Sequence, residues 1–288
     1  PSLTGYDKDE NEWLWLWDDV PELDMEVGYK VKTLAHYERS AYQEISIAET
    51  RAFGRMLVLD GTPQVTEKDG FIYNEMIAHV ALAAHPAPAR VAMIGGGDCG
   101  PAREAAKYAD VRSIDVVEID ARVVEACRAW MSPPSAADDG RVRLIYADGC
   151  QWLRGRRREY DVLLVDRSDP YGPAAALYKD AFYRDVWEAL ADDGIAVFQS
   201  GSPFCSPGVL KSTARQLRKR FPVVRTYLCA VPSFPGGIWS FTLASKRWDP
   251  LNADLARLQW RGARYVNPDV YRASFVLPNY VRELLEWA

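Results

Sequence analysis

The sequence predicts an α/β fold: a doubly wound, mostly parallel sheet preceded by a small antiparallel β domain. Three observations carry this. From about residue 89, short continuous apolar runs alternate with segments of helical spacing, the pattern of buried parallel strands joined by crossover helices. The first run ends in Gly95-Gly96-Gly97, a turn in which the backbone can approach a ligand. Before residue 80 the strand-like pieces are instead separated by turn signals such as Asp60-Gly61, which suits antiparallel hairpins. The expected division is 1–70 for the β domain and 71–288 for the parallel-sheet domain.

In chain order, Trp13, Trp15 and Trp17 alternate as one face of a strand, expected to pack in a core or at an interface. Tyr42–Ala48 and Arg55–Leu59 read as strands. Phe71–Ala84 reads as a helix with Phe71, Met76, Ile77 and Val80 on one side. Val91–Ile94 is the first parallel strand, followed by a helix at Pro101–Tyr108, where proline fits the first turn. Ser113–Ile119, Val142–Tyr146, Asp161–Val165 and Ile195–Gln199 read as strands. Ala121–Trp130, Cys150–Arg154 and Lys179–Leu190 read as the helices between them. A helix at Ser206–Phe221 and a strand at Trp239–Ala244 are expected to complete and edge the sheet.

Composition excludes several classes. Hydrophobic residues are 48% and charged residues 26%, an ordinary globular balance that does not suit a disordered chain. The most apolar stretch, His79 to Ile94, is broken by His85, Pro86 and Pro88, so no membrane partner is expected. The net charge of −5 argues against nucleic acid and is compatible with a cationic substrate. The basic run Arg154–Arg158 reads as a solvated helix end. Five cysteines without a CxxC pair suggest neither a disulfide framework nor zinc, and His36, His79 and His85 are too scattered for a metal set. No metal is expected. The acidic opening residues are unlike a secretory signal, so a cytoplasmic location is expected.

In an open parallel sheet, ligands bind outside the carboxyl ends of the strands, and four polar clusters fall there. Gly95–Gly100 is either a structural turn or a ligand loop; its Asp98 would repel a pyrophosphate and welcome a cation. Glu118 ends the second strand, where an acidic residue accepts ribose hydroxyls, while Asp120 reads as a helix N-cap. Asp148, before Gly149, either caps the next helix or accepts an adenine amine. The most distinctive cluster is Asp166-Arg167-Ser168-Asp169-Pro170-Tyr171-Gly172-Pro173, with two carboxylates three residues apart. A methyltransferase has no general need for that pair, whereas a polyamine acceptor does.

These motifs resemble the polyamine aminopropyltransferases, the spermidine synthase family, in its bacterial form. The resemblance runs through Tyr42-Gln43-Glu44-Ile45, Gly61–Met76, the Gly95 loop, Val117–Asp120, Asp148-Gly149, Asp166–Pro173, Val231–Gly237, Tyr265–Pro268 and Phe275–Pro278, in the family's order. It implies a Rossmann-like, methyltransferase-like sheet and transfer of an aminopropyl group from decarboxylated S-adenosylmethionine, a co-substrate rather than a cofactor. The implied acceptor is an amine, first of all putrescine giving spermidine, with methylthioadenosine released. Carried over by position, Gln43, Gln64, Gly95, Gly97, Asp98, Glu118, Asp148, Gly149 and Pro173 would contact the nucleoside sulfonium donor. Asp166 would be the catalytic carboxylate, and Tyr73, Asp169, Gln199 and Phe234 would line the acceptor site. A homodimer or homotetramer assembled through the N-terminal region is also implied. The rivals are another amine acceptor, an S-adenosylmethionine methyltransferase, and a non-catalytic amine-binding relative.

The chemistry sets a physical requirement. An alkyl ammonium has a pKa of about 10.4, so freeing its lone pair near pH 7 costs roughly 4 kcal/mol at 1.36 kcal/mol per unit. A carboxylate alone would deepen that cost, whereas a nearby sulfonium in a dry crevice opposes a second cation and helps expel the proton. Departures from the family pattern fall at this site. Cys99 stands for the usual glycine, Gly70 for a glutamate, Asn74 for a histidine and Phe234 for a tyrosine. Arg167 replaces a small residue, and continued strand geometry would turn it away from the side that Asp166 faces.

Overall fold

The computed structural model describes residues 3–132, 138–259 and 262–286. Its first layer is a six-stranded antiparallel meander of β1 (Tyr6–Lys8), β2 (Leu14–Val20), β3 (Met25–Arg39), β4 (Glu44–Thr50), β5 (Arg55–Leu59) and β6 (Thr62–Thr66). Period-2 alternation sets its faces. In β2, Leu16, Asp18 and Val20 are buried while Trp17 points out, half-exposed and stacked on Trp15 with ring centroids 5.2 Å apart. The tryptophan row is therefore the outward face of this sheet and not part of its core, because the small inner positions between β2 and β3 are taken by Leu16, Tyr29 and Val31.

The second layer is a seven-stranded sheet. It comprises β7 (Arg90–Gly95), β8 (Ser113–Glu118), β9 (Val142–Tyr146), β10 (Tyr160–Asp166), β11 (Leu190–Gly201), β12 (Val223–Ala230) and β13 (Ile238–Ser245), in the order β12-β13-β11-β10-β7-β8-β9. The five strands from β9 to β11 are parallel, and β13 runs antiparallel to both β11 and β12. The chain winds outward in both directions from the β7–β10 pair, which places a crevice at their carboxyl ends.

Helices cover both faces, as a doubly wound sheet requires. Val91, Met93, Val162 and Leu164 pack toward α1 (Gly70–Ala84) and α2 (Gly100–Ala105). Ala92, Ile94, Leu163 and Val165 pack toward α4 (Gly149–Leu153), α5 (Asp180–Ala189) and α6 (Pro207–Arg218), while α3 (Ala121–Trp130) buries Val123, Ala126 and Cys127 against Ile45, Ile47 and Leu57 of the N-terminal sheet. Each fully buried Val, Leu, Ile or Met among them contributes roughly 1.5–3 kcal/mol.

Some expectations need correction. The 71–84 helix is not one-sided: almost every residue of α1 is buried, because α2, the central strands and the C-terminal turns enclose it. It stops at His85, whose following Pro86 disfavours helical backbone there. Strand β12 was not legible beside the helix before it. Neither were α7 (Pro268–Ser274) and α8 (Asn279–Glu286), short helices that cover the sheet edge. The strand expected at 195–199 extends over 190–201.

Candidate active site

The crevice at the carboxyl ends of β7 and β10 is a cavity of about 420 Å³, and every candidate residue from the sequence lines it. The glycine turn forms its floor. Gly95 has φ +83°, and a Cβ there would lie 2.0 Å from the Asp166 carbonyl oxygen, so the close pairing of β7 with β10 requires glycine. Gly97 lies beneath the Glu118 carboxylate, where a Cβ would come within 3.3 Å of Oε2. Cys99, in place of a glycine, adopts φ +57° and is fully buried at the entry to α2.

The residues expected to contact the donor are held by bonds at or near strand and helix ends. Glu118 closes β8 and accepts the Asp120 amide at 3.1 Å. Asp120 caps α3 through Arg122 N–H at 3.1 Å and also accepts from Ser40 Oγ (2.6 Å) and Gln43 Nε2 (3.0 Å), which ties the N-terminal sheet to the crevice rim. Asp148 caps α4 by accepting the Gln151 amide at 3.0 Å while lining the cavity, so the two readings of it are compatible. Gly149 packs on Ile94, Gln64 donates to Thr62 O at 3.1 Å, and Pro173 lies in the 3₁₀ segment Gly172–Tyr178.

At the centre, Tyr73 Oη donates to Asp166 Oδ1 at 2.5 Å. Tyr73 is half-buried between Phe234 and Phe241, with centroids 6.1 and 5.1 Å away. Burial, with the Asp98 charge added, pushes the Asp166 carboxyl up to about 7, partly offset by the Tyr73 hydrogen bond. Burial likewise lifts Glu118 to about 7, reinforced by Asp120, Asp166 and Asp98. Asp98 is raised by burial, against the pull of Arg103, two backbone N–H groups and the Asn74 side chain. Asn74, where a histidine was expected, thus serves as a donor to Asp98. Asp169 is raised by burial and by Glu22. Burial is the common cause of these upward shifts, with mutual repulsion adding to it, so a positive charge placed among these carboxylates would favour their ionised forms.

Arg167 does not pair with a carboxylate. It turns to the opposite face of β10, 3% exposed, and donates to Leu177 O (2.7 Å), Tyr183 Oη (2.8 Å), Thr213 Oγ1 (2.8 Å) and Gln199 O (3.3 Å). Its guanidinium lies 3.7 Å from the centre of the Tyr178 ring. Gln199 lines the cavity, yet its amide is committed to the protein: Nε2 donates to Arg167 O (2.8 Å) and Tyr178 Oη (3.0 Å), and Oε1 accepts from Gly201 N (2.9 Å). Its contribution is therefore the shape of the wall. Sequence reasoning missed Asp18, Asp19 and Glu22, which line the same cavity from the end of β2 and the turn after it. The signal was present: Asp18 interrupts the apolar alternation of Leu16 and Val20.

The doubly wound sheet opens at its carboxyl ends onto a cavity that Asp98, Glu118, Asp148, Asp166 and Asp169 line together. The Spermine/spermidine synthase domain matches residues 70–254, and the Spermidine synthase tetramerisation domain matches residues 18–67. A polyamine aminopropyltransferase of Moorella thermoacetica is 42% identical over 264 residues, 91% of this chain and 93% of the relative. One of Caldicellulosiruptor bescii is 42% identical over 258 residues, 89% and 93% respectively. A crystal structure of spermidine synthase in complex with the transition state analogue AdoDATO superposes with a TM-score of 0.93 at 33% identity, covering 100% of this chain and 98% of that one. Spermidine synthase from Thermotoga maritima gives 0.90 at 32% identity, with coverage of 100% and 98%. The chain belongs to the spermine/spermidine synthase family and is an enzyme of the polyamine aminopropyltransferase type.

Proposed function

We propose that the crevice binds decarboxylated S-adenosylmethionine against the glycine turn and transfers its aminopropyl group to putrescine, giving spermidine and methylthioadenosine. Glu118 accepts the ribose hydroxyls, Asp148 the adenine amine, and Asp98 the aminopropyl ammonium, with Gln43, Gln64 and Pro173 closing around the nucleoside. Asp169 anchors the far ammonium of the acceptor, while Tyr73 and Phe234 wall its methylenes. The near ammonium gives its proton to Asp166. The freed nitrogen lone pair then attacks the methylene carbon on sulfur, forming the C–N bond as the C–S bond breaks and its electron pair neutralises the sulfonium. The one observation that supports this most is Asp166 itself, half-buried beside Gly95 and Gly96, hydrogen-bonded to Tyr73 and clear of Arg167.

The 1–70 segment is read as an oligomerisation domain and 71–288 as the catalytic one, in a homodimer or homotetramer. The half-exposed Trp13 and Trp17 face is the patch available for such contacts. Light scattering coupled to gel filtration tests the assembly. For the reaction, the protein is incubated with decarboxylated donor and putrescine, cadaverine, agmatine or spermidine, and products are identified by mass. Absence of methylthioadenosine with all four amines overturns the reading, and methylated product from S-adenosylmethionine replaces it with the methyltransferase alternative.

A further inference from the structure

The reaction set out above gives Arg167 no task, yet its placement is costly. It directly follows β10 and is 3% exposed. A buried guanidinium is unfavourable unless its charge and its donors are met. Among the described residues it pairs with no carboxylate. Its partners are all neutral: the Leu177 and Gln199 carbonyls, the Tyr183 and Thr213 hydroxyls, and the face of the Tyr178 ring.

Those partners fall in two places. Gln199 on β11, Tyr183 on α5 and Thr213 on α6 belong to the packed body of the sheet domain. Leu177 and Tyr178 end the segment that leaves the sheet after Arg167 and returns before α5. The Tyr178 hydroxyl ties the two ends of that segment together. It donates to Ser168 O at 2.7 Å and accepts from Gln199 Nε2 at 3.0 Å, while the same Nε2 reaches Arg167 O at 2.8 Å. The chain between these ends has no such fastening: among the described residues, positions 169–176 hydrogen-bond only within 168–179. Yet this span carries Asp169 and Pro173 on the cavity wall. Holding it in one shape costs conformational entropy, which a ligand must offset if the protein does not.

We propose that Arg167 is a positioning residue. It grips Leu177 O and the Tyr178 ring from inside the protein, fastens the base of the 168–178 segment, and so sets where Asp169 and Pro173 stand before either substrate arrives. The inference rests on the aminopropyl-transfer reading for what those two residues touch; the fastening itself does not depend on it. A guanidinium suits the task, because its flat fork donates in several directions while its plane stacks on an aromatic face. One buried side chain thereby joins the end of the segment to β11, α5 and α6. Because a single segment carries a contact for each substrate, loosening it obliges each ligand to order part of it, and the first to bind spares the second.

The test compares the full-length wild type with Arg167→Met and Arg167→Lys, the second keeping the charge but not the fork. Hydrogen exchange read by mass spectrometry without ligand is expected to speed up the amides of 171–178 at least about tenfold more than those of β7 and β8. Arg167→Lys reads the same loosening if Arg167→Met does not fold. A segment as slow as in the wild type, or a rise shared evenly by the sheet, overturns the proposal. Calorimetry then reads the consequence for the ligands. Methylthioadenosine and putrescine, each alone, are expected to bind the folded variant about tenfold more weakly than the wild type. Methylthioadenosine should recover part of the lost putrescine affinity, a gain smaller in the wild type, where the segment is already set. Unchanged affinity for both ligands beside a loosened segment overturns the positioning role. A loosened segment in a protein that binds neither ligand and turns over no amine supports the fastening and sinks the transfer reading alone.

Discussion

At the residue scale, the proposed transfer depends on one carboxyl held between two states. Asp166 sits near 7 because burial and Asp98 raise it while Tyr73 pulls it back. A base must be ionised to accept a proton, so kcat/KM should fall below about pH 7 in the free enzyme. Tyr73→Phe removes the 2.5 Å donor and leaves burial unopposed. The acid limb of the pH profile is then expected to move to higher pH, with activity at pH 7 reduced roughly 10- to 100-fold. A limb that stays in place or moves toward acid would separate Tyr73 from the ionisation of Asp166. Asp166→Asn should cost at least about 10³-fold in turnover while donor affinity, measured by calorimetry, changes only a few-fold. Gly95, Glu118 and Asp166 could be placed at the cavity from the sequence because each ends a strand of the parallel sheet. Gln199 was legible in place but not in use. An amide can face a ligand or the backbone, and only the tertiary setting of Arg167, Tyr178 and Gly201 decides which.

At the element scale, the cavity wall proposed for the acceptor is assembled from segments far apart in sequence. Asp69, just before α1, does not cap that helix; it accepts from Thr66 Oγ1 (2.5 Å) and from Ser233 N (2.7 Å), while Tyr29 Oη donates to Ser233 O. The 231–237 segment that presents Phe234 is thereby pinned to the N-terminal sheet. Asp69→Ala should release it, raising KM for the amine about tenfold with little change in donor affinity, as steady-state kinetics with each substrate varied would record. An equal rise for both substrates would assign Asp69 to general stability. Arg167 performs a comparable task for the 168–178 segment. Arg167→Met leaves the Tyr183 and Thr213 hydroxyls and the Leu177 carbonyl short of donors inside the protein. A loss of about 2–4 kcal/mol in urea denaturation is expected. The repeating strands and helices of the sheet were readable because their periodicity is local. The buried-all-round α1 and the edge strand β12 were not, since they meet across 151 residues, Tyr227 Oη donating to Met76 O; α8 was not, since it seats on α6, from which Arg218 reaches the Leu285 carbonyl 67 residues on.

For the whole molecule, the concentration of carboxylates along the cavity is a liability unless positive charge compensates it. Asp18, Glu118 and Asp166 are each raised to about 7 in the folded protein, chiefly by burial. Unfolded aspartate and glutamate ionise near 3.9 and 4.3. Between about pH 4 and pH 7 the folded state therefore holds protons that the unfolded state releases. The stability associated with these groups is full at the acidic end and is lost as pH rises through 7. Asp98 and Asp169, also raised, act in the same sense. His85, held below its usual value by burial, acts in the opposite one, gaining stability as pH rises toward 6.5. Asp139, lowered to about 2 by Arg141, matters only below the window. With five groups against one, the unliganded protein should melt at a higher temperature near pH 5 than at pH 8. A difference above about 3 °C is expected, since 1 kcal/mol moves Tm by roughly 2–4 °C in chains of 150–250 residues. Methylthioadenosine with a polyamine should narrow that gap by supplying the missing positive charge, and Asp18→Asn should narrow it without any ligand. A melting temperature that is flat or rises from pH 5 to pH 8 would mean that the crevice carboxylates are already compensated, and the cation-recognition account would lose its electrostatic basis.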